Sequence, residues 1–401
     1  MGSISINGRV IGDEQAPYLI AEGGVNHNGS PDLALRLVDA AADAGADAVK
    51  FQTFHADALA TADAPQAAYQ RQRAAAASQV EMLRALELSP EALRSCRDRA
   101  NERGITFLST PFDLASVELL AEIGVPAFKV GSGDLTNLVL LRAVAARGLP
   151  MLVSTGMGSM DEVSAAVADI RAHGNPPLAL LQCTSAYPAA AADANLRAMA
   201  TLRDAFDVPV GYSDHTLGIT VAVAAAALGA ALIEKHLTLD RSMPGPDHAA
   251  ALEPGELAAL VRAVRDAHAG LGDGVKAPRS DEEDSRQVSR RSLVLSRPLR
   301  AGDEIAADDL DAMRPAGGIS PLQLDKVVGR RAARDLAARA VLRAEDLDPP
   351  LSPLRAVQRQ VPGSASIEAS PWACMAASIV RHASSTPSQP ETSVSRPSRA
   401  L

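Results

Sequence analysis

Eight short apolar runs between Tyr18 and Gly270, each followed by a helical pattern, constrain the fold of this chain more than any other feature of its sequence. Runs such as ADAVKFQTF (46–54) and ALIEKH (231–236) have the length and apolar pattern of buried strands. Strands that alternate with helices form parallel sheets, and no dinucleotide-binding glycine fingerprint follows these runs. The pattern therefore predicts an α/β fold, a (β/α)8 TIM barrel, with a six-stranded open sheet as the alternative.

Two helices of this predicted barrel carry clear start signals. Ser30, which is followed by proline, predicts a helix to about Ala44, and Ser89, also followed by proline, predicts a helix over 89–103. The polar, alanine-rich insertion 55–88 lies between them and is longer than an ordinary connection. Such a segment is typical of a functional lid or of a disordered region.

The composition excludes several classes of function. The 48 acidic residues outnumber the 39 Lys and Arg residues, so the net charge of −9 argues against a general nucleic-acid binder. The first twenty residues lack a signal peptide pattern, and no charge-free apolar stretch is long enough to span a membrane. Cys96, Cys183 and Cys374 match neither a disulfide framework nor a zinc spacing. We therefore expect a soluble cytoplasmic protein without a membrane partner.

Lysine is rare in this chain and its positions are informative. It occupies five of the 39 basic positions, whereas arginine occupies the other 34. Lys50, Lys129 and Lys235 all lie in apolar strand patterns rather than on helix surfaces. Because lysine presents a compact charge on a flexible stem, its use where arginine is habitual favours a binding role, with chance as the alternative.

Two histidines lie at the ends of neighbouring predicted strands. His215 follows the strand VPVGY (208–212), and His236 ends the strand 231–237 after an alanine-rich helix over 217–228. The carboxyl ends of parallel strands lie side by side, so both imidazoles should project into one pocket. Such a pair suits a transition metal whose other coordination positions stay open, although two ordinary polar strand ends would give the same pattern.

Other polar residues also collect at predicted strand ends. The hydroxyls of Thr110, Ser132, Ser154 and Ser213 could form a binding site for a phosphate together with Lys129. Small donors converge without crowding, and the ammonium neutralises the anion. The alternative for each hydroxyl is a helix N-cap. The full set of polar strand-end residues is Glu22, Lys50, Gln52, Thr110, Lys129, Ser132, Ser154, Gln182, Thr184, Ser213, His215, Glu234 and His236.

The pattern changes after the predicted barrel, which we place at 1–275. The polar segment 276–288 carries a charge run and reads as a solvated linker. Short strands and tight turns then indicate a small β-rich domain over 289–350. From 351 to 401, Pro, Ser, Ala and Arg dominate without periodicity, which is typical of disorder.

An ordered series of motifs resembles the bacterial sialic acid synthase family, which includes N-acetylneuraminate, legionaminate, pseudaminate and spore-coat synthases. The resemblance covers roughly residues 3–347. The motifs are IAEGGVNHNGS, GADAVKFQTF, STPFD, FKVGSGD, STGMGSMDEV, QCTSAYP, GYSDHTLG, IEKHLTLDRSMPGPDHAAALEP, RRSLV and RPAGGISP. Members of this family have a barrel followed by a small antifreeze-like (SAF) domain. In the homodimer, that domain covers the active site of the partner subunit.

The resemblance implies a role for each matching position. His215 and His236 match the ligands of a divalent metal, with Mn²⁺ as the usual ion and Mg²⁺ or Co²⁺ as alternatives. The residues implied around phosphoenolpyruvate are Lys50, Thr110, Lys129, Ser132, Ser154 and Ser213. Those implied around the N-acylated amino sugar are Glu22, Gln52, Tyr187, Asp247 and, from the SAF domain of the other subunit, Arg314. The implied catalytic set is Glu22, Lys50, Lys129, His215 and His236.

The chain departs from the family pattern near the sugar. Ala251 stands where many members have serine, and Ser185-Ala186 replaces a pair that often holds asparagine. These departures leave the acceptor open between N-acetylmannosamine, a 2,4-diacetamido-2,4,6-trideoxyhexose and another acylated hexose.

The implied reaction condenses phosphoenolpyruvate with the open-chain aldehyde of this sugar and water, giving a nine-carbon 2-keto acid and phosphate. Two other functions fit parts of the pattern. One is an aldolase in which Lys129 forms a Schiff base. The other is a carbohydrate-binding protein without catalytic activity.

Overall fold

The chain divides into two compact units after Val275 in the computed structural model. The structure describes residues 2–12, 14–65 and 78–352. Part of the predicted lid, 66–77, and nearly all of the tail predicted to be disordered lie outside these residues.

Eight parallel strands form a nearly closed barrel in the first unit. They are hydrogen-bonded in the order β5-β4-β3-β10-β9-β8-β7-β6, and the end strands β5 and β6 lie next to each other. An amino-terminal hairpin precedes them, with β1 at Ile4–Ile6 and β2 at Arg9–Ile11. The barrel strands are β3 Tyr18–Gly24, β4 Ala48–Thr53, β5 Thr106–Pro111, β6 Phe128–Val130, β7 Met151–Ser154, β8 Leu178–Cys183, β9 Val210–Asp214 and β10 Leu232–His236. The predicted TIM barrel is confirmed, and the open six-stranded sheet is wrong.

Helices follow the strands as the sequence predicts. Ser30 and Ser89 accept hydrogen bonds from Leu33 N and Ala92 N, and so cap the helices they were predicted to begin. The helices of this unit are α1 Pro31–Asp43, α2 Ala56–Leu59, α3 Gln79–Arg84, α4 Pro90–Glu102, α5 Leu114–Ile123, α6 Leu138–Ala145, α7 Met160–Ala172, α8 Ala198–Phe206, α9 Thr220–Ala227 and α10 Pro254–Leu271. The helix predicted over 217–228 thus begins three residues later, at Thr220. None of the helices in the described part of the chain is long and apolar enough to cross a bilayer.

Alternation along each strand separates two apolar layers. Outward residues such as Val49 and Ile233 pack against the helices. Inward residues such as Leu108 and Leu181 fill the amino-terminal half of the barrel together with Ile6 of the hairpin. Because side chains alternate, the inward positions nearer the carboxyl ends continue the same rows, and these positions are polar. The lumen is therefore apolar at its base and polar at the carboxyl rim.

The second unit is small and β-rich, as predicted. Two antiparallel pairs join β11 with β12 and β13 with β14. Its elements are α11 Glu283–Ser289, β11 Ser292–Leu295, β12 Leu310–Met313, α12 Leu324–Val327, β13 Arg331–Ala332 and β14 Leu347–Asp348. Leu293, Ile305 and Leu342 belong to its own apolar core. The segment 276–288 is exposed at every residue, and most of α11 lies within it.

Candidate active site

Two lysines and two carboxylates meet inside the barrel at the carboxyl ends of β3, β4, β6 and β10. Lys50 Nζ lies 2.7 Å from Glu22 Oε2 and 3.8 Å from Glu234 Oε2. Lys129 Nζ lies 3.6 Å from Glu234 Oε1. All four side chains are buried. We call this group, Glu22, Lys50, Lys129 and Glu234, the lumen cluster.

Burial and mutual attraction shift the pKa of each member of the lumen cluster. Burial, opposed by Lys50 and aided by Glu234, raises the pKa of Glu22 to about 7. Burial would raise the pKa of Glu234, but Lys129 and Lys50 hold it below its usual value. Burial, with Lys50 nearby, lowers the pKa of Lys129. Burial acts in the same direction on Lys50, but Glu22 and Glu234 outweigh it and raise that pKa. Glu22 can therefore exchange a proton near neutral pH.

The four predicted hydroxyls surround the lumen cluster. Lys50 Nζ donates to Thr110 Oγ1 at 3.1 Å, and Lys129 Nζ donates to Ser154 Oγ at 2.8 Å. On the opposite side of Lys129, Ser213 Oγ donates to Glu234 Oε1 at 3.1 Å. Ser132 Oγ accepts a hydrogen bond from the backbone N–H of Gly156 at 3.0 Å. The structure thus brings these hydroxyls to the rim that holds both lysines.

His215 and His236 share this rim. Their ring centroids are 5.2 Å apart, and both side chains are buried. His215 Nδ1 lies 2.9 Å from the carbonyl oxygen of Thr184, which can only accept, so Nδ1 carries the proton and Nε2 keeps a lone pair. His236 Nδ1 is buried and has no hydrogen-bond partner among the described residues. Burial, together with His215, holds the pKa of His236 well below its usual value, so its ring is neutral. Burial would lower the pKa of His215, but Cys183 and the carbonyl of Thr184 raise it above its usual value, so a cation would compete with a proton for Nε2. His215 Nε2 and His236 Nδ1 are the two nitrogens available to one cation.

A metal bound here would have open coordination positions. Within residues 2–12, 14–65 and 78–352, no three His, Cys, Asp or Glu side chains are grouped in a way that could hold a metal ion. The histidine pair fits a cation that takes its remaining ligands from water or substrate.

Of the residues predicted near the sugar, Tyr187 and Asp247 lie near the histidines, and Gln52 lies beside Glu22. The ring centroid of Tyr187 lies 4.2 Å from that of His215 and 5.9 Å from that of His236. Gln52 Nε2 donates to Glu22 Oε1 at 3.2 Å. Burial raises the pKa of the partly buried Asp247 to about 6, and the charges of His215 and Lys50 oppose this rise, so Asp247 lies within their electrostatic reach.

Arg314 is the predicted site residue that lies outside the barrel. It is exposed in the second unit, directly after β12. Its expected role concerns the partner subunit and stays a prediction.

Two residues of the rim were not assigned a role from the sequence. Glu234 lies between both lysines, and its inward orientation follows from its position two residues before His236 on the same strand. Cys183 is buried with its Sγ 3.7 Å from His215 Nδ1. Lys235 behaves differently from the other strand lysines, since it faces outward and pairs with Asp214 at 2.7 Å.

Similarity to known proteins agrees with this geometry. Residues 37–276 match the NeuB family, and residues 290–348 match the SAF domain. The chain is 46% identical to an N,N'-diacetyllegionaminic acid synthase of Legionella pneumophila over 84% of this chain and 96% of that protein. A second N,N'-diacetyllegionaminic acid synthase, from Campylobacter jejuni, is 43% identical over 79% of this chain and 96% of its own length.

A solved structure supports the same assignment. The N-acetylneuraminic acid (sialic acid) synthetase of Leptospira borgpetersenii superposes with a TM-score of 0.63 and 36% identity, covering 71% of this chain and 95% of that protein. The family resemblance seen in the motifs is thereby confirmed. The chain belongs to the NeuB family of sialic acid synthase-type proteins and carries a SAF domain after its barrel.

Proposed function

We propose that the barrel rim joins phosphoenolpyruvate, the open-chain aldehyde of an N-acylated amino hexose and water into a nine-carbon 2-keto acid and inorganic phosphate. The observation that carries this proposal is that two histidine rings with centroids 5.2 Å apart share one rim with the lumen cluster. The histidine side suits a cation and a carbonyl oxygen. The lysine side suits a small anion with both carboxylate and phosphate groups.

Lys50 and Lys129 bind phosphoenolpyruvate in this proposal. Each ammonium already donates to a hydroxyl, Thr110 Oγ1 and Ser154 Oγ respectively, so these hydroxyls are held where an anionic oxygen would approach. Burial, and to a lesser degree the charge of Lys50, lowers the pKa of Lys129. The substrate's negative charges compensate for the burial of the ammonium groups. Ser132 supplies a further hydroxyl donor, and Ser213 would supply one when its hydroxyl turns from Glu234 to the substrate.

His215 and His236 would hold the divalent cation, with Mn²⁺ as the expected ion. The unpartnered Nδ1 of His236 and the tautomer that Thr184 selects for His215 both fit this use. When bound, such a cation acts as a Lewis acid on the sugar aldehyde. Cys183 and the carbonyl of Thr184 keep the His215 ring in place.

The remaining chemistry belongs to the substrates and to Glu22. The methylene carbon of phosphoenolpyruvate forms the new bond to the aldehyde carbon, and water adds at C2. Loss of phosphate by C–O cleavage then leaves the 2-keto acid. A carboxyl with a pKa of about 7 can give a proton to the new alkoxide or take one from water at neutral pH, which favours Glu22 for proton transfer.

The relatives favour a doubly N-acylated acceptor. The two named synthases at 46% and 43% identity make N,N'-diacetyllegionaminic acid, a product with two acetamido groups. We therefore propose a 2,4-diacetamido-2,4,6-trideoxyhexose as the acceptor, ahead of N-acetylmannosamine. In this proposal Gln52, Tyr187 and Asp247 contact the sugar, which is supported by the contact of Tyr187 with both histidine rings and of Gln52 with Glu22. We further propose that the chain acts as a homodimer in which Arg314 reaches the sugar of the partner subunit.

A panel of acceptors tests the function directly. The full chain is incubated with phosphoenolpyruvate, Mn²⁺ and each of three sugars: the diacetamido-trideoxyhexose, N-acetylmannosamine and unacylated mannosamine. We expect phosphate release with a product mass equal to the sum of both substrates and water minus phosphoric acid, greatest for the first sugar. EDTA should stop turnover, and Mn²⁺ should restore it.

Two results would replace this function with another. Turnover that survives EDTA, together with borohydride trapping of pyruvate on Lys129, would indicate a Schiff-base aldolase. Sugar binding without phosphate release for any acylamino hexose, unaltered in His215→Ala, would indicate a non-catalytic carbohydrate-binding protein.

A further inference from the structure

The loop after β10 is fastened to the loop after β3 by two side chains that lie outside the lumen cluster. Asn28 Nδ2 donates to the carbonyl oxygen of Pro244 at 2.9 Å. Asn28 Oδ1 lies 3.1 Å from His248 Nε2. His248 Nδ1 in turn lies 2.7 Å from Thr238 Oγ1. These contacts join residues 220 positions apart and close the loop that spans 238–248.

The hydrogen-bond roles in this chain of contacts follow from one carbonyl. The carbonyl of Pro244 can only accept, so the Asn28 amide group must face it and Asn28 Oδ1 must face His248. That oxygen can also only accept, so His248 Nε2 carries the proton and Nδ1 is left as an acceptor. The Thr238 hydroxyl lies 2.7 Å from Nδ1 and 3.1 Å from the carbonyl oxygen of Asp240, so its single proton is shared between these two acceptors. His248 is fully buried with both ring nitrogens engaged, which specifies a single ring orientation.

The backbone conformation around this contact restricts which residues fit at positions 28 and 245. Asn28 has φ of 50°, a left-handed conformation that asparagine tolerates better than most residues. Gly245 has φ of 144°, and a Cβ there would lie 2.7 Å from His248 Cδ2 and 2.8 Å from Asn28 Oδ1. Glycine is required because the loop passes directly over the two side chains. We call Asn28 and His248, together with this glycine, the loop latch.

The loop latch borders the residue that was predicted to face the sugar. Asp247 precedes His248 and lies within electrostatic reach of His215 and Lys50. Because the His248 ring is held from both sides, the backbone that carries Asp247 is held as well. Within the described part of the chain, the hydrogen bonds and ion pairs of Lys50 and Lys129 go to groups other than Asn28 and His248.

We propose that Asn28 and His248 are positioning residues that hold Asp247 against the acceptor sugar, so that the loop latch sets the affinity for the sugar and leaves the affinity for phosphoenolpyruvate unchanged. This inference rests on the proposed function for its kinetic readout. It accounts for the NHNG and PGPDH motifs, whose histidine at 248 and asparagine at 28 have no place in the lumen cluster.

Asn28→Gly tests the latch with little disturbance, because glycine accepts the left-handed backbone while both side-chain hydrogen bonds are lost. We expect the KM for the acceptor sugar to rise about tenfold, and the KM for phosphoenolpyruvate to stay within about twofold. Asn7→Gly is the matched control, since Asn7 also has φ of 50° but lies in the amino-terminal hairpin turn. An unchanged sugar KM, or an equal rise in both KM values, would overturn the proposal.

Two variants of His248 separate positioning from packing. The Gln side chain in His248→Gln can still donate to Asn28 Oδ1, whereas His248→Leu cannot. We expect the Gln variant to recover most of the sugar affinity that the Leu variant loses. Equal sugar KM values for the two variants, both above wild type, would show that the hydrogen bond has no positioning role.

Hydrogen exchange tests the latch without any turnover. The backbone amides of residues 238–250 should exchange about tenfold faster in Asn28→Gly than in wild type, while the barrel strands stay protected. Thr238→Val, which removes the hydroxyl beside His248 Nδ1, should give the same change and serves if the glycine variant does not fold. If the wild type turns over no acylamino hexose, the proposed function fails but this exchange still decides the latch. Unchanged exchange in both variants would overturn it.

Discussion

The two faces of the barrel sheet bury lysine in different ways. On the inner face, Lys50 and Lys129 share two carboxylates at distances between 2.7 and 3.8 Å, and Glu234 Oε2 accepts no hydrogen bond within the described residues. On the outer face, Lys235 pairs with Asp214 at 2.7 Å and also donates to the carbonyl of Thr216. The outer pair, which we call the outer ion pair, is only 1% exposed at either residue.

The difference lies in what each set leaves unsatisfied. In the outer ion pair, Asp214 Oδ1 also accepts from the backbone N–H of Thr216 at 2.9 Å, so the pair closes the turn after β9. On the inner face Lys129 donates to the carbonyl oxygen of Val130 at 3.2 Å as well as to Ser154, and the atoms left without a hydrogen bond among the described residues include Glu234 Oε2. A buried charge with spare hydrogen-bonding capacity suits a ligand, whereas a saturated one suits structure. The contrast predicts opposite consequences for the same substitution on the two faces.

The largest expected effect is on activity. Lys129→Met should lower kcat/KM with phosphoenolpyruvate about 10³-fold, because it removes a preorganised charge that faces the anionic substrate. The free energy of unfolding should stay within about 1 kcal/mol of wild type, since Glu234 keeps Lys50 as a counter-charge and an apolar chain of similar size replaces a group that is costly to bury. Steady-state kinetics and urea unfolding measure the two quantities. Lys276→Met, at an exposed lysine of the connector, is the control.

If kcat/KM fell tenfold or less in Lys129→Met and did not change in Lys276→Met, the distinction between the two faces would be removed. In that event the inner lysines would be structural as well.

On the outer face the effect should be on stability. Lys235→Met should lower the free energy of unfolding by about 3–5 kcal/mol, because it leaves the Asp214 carboxylate buried without its counter-charge. Urea unfolding of the purified variant, followed by circular dichroism, gives this value. A loss below about 1 kcal/mol would contradict the assignment of the outer ion pair to structure.

A double variant sharpens the same experiment. Asp214→Asn combined with Lys235→Met removes both charges and keeps an oxygen that can accept from the N–H of Thr216. We expect it to recover more than half of the stability lost in the single variant, since a neutral pair replaces an unpaired buried charge. No recovery would mean that the lysine contributes through packing rather than through charge.

A smaller expected effect is on the pH dependence of the free energy of unfolding, and it involves only the inner face. Glu22 has a pKa of about 7 in the folded chain and 4.5 as its ordinary value, so the folded chain holds this proton more tightly. The resulting stability is complete below pH 4.5 and is lost as the pH rises through 7, by about 3 kcal/mol in total. Glu22→Gln cannot titrate and should therefore flatten the fall in stability between pH 5 and pH 7.5.

Urea midpoints across this pH range, measured in EDTA, test the difference between wild type and Glu22→Gln. Glu122→Gln, at an exposed position of α5, is the control. Parallel pH profiles for wild type and Glu22→Gln would show that Glu22 keeps an ordinary pKa in the folded chain.

The sequence by itself determined the barrel and its polar rim. Apolar runs, serine N-caps such as Ser30 and Ser89, and the spacing of His215 and His236 are local patterns. Parallel topology brings every strand end to one rim, so the convergence of the two histidines follows without knowing any loop path. The rarity of lysine was a weaker signal, since it could not separate Lys129 from the outward-facing Lys235 without the register of each strand.

Only the tertiary structure decided which distant side chains share protons and charge. Glu234 lies between two lysines because the nearly closed barrel lets side chains from β4, β6 and β10 meet in the lumen. His248 meets Asn28 because the last barrel loop folds back over the first. Periodicity describes neighbours along one element, whereas ring closure and loop paths set distances between elements that are far apart in sequence. For that reason the sequence predicted the rim of the site, and the fold determined the lumen cluster and the loop latch.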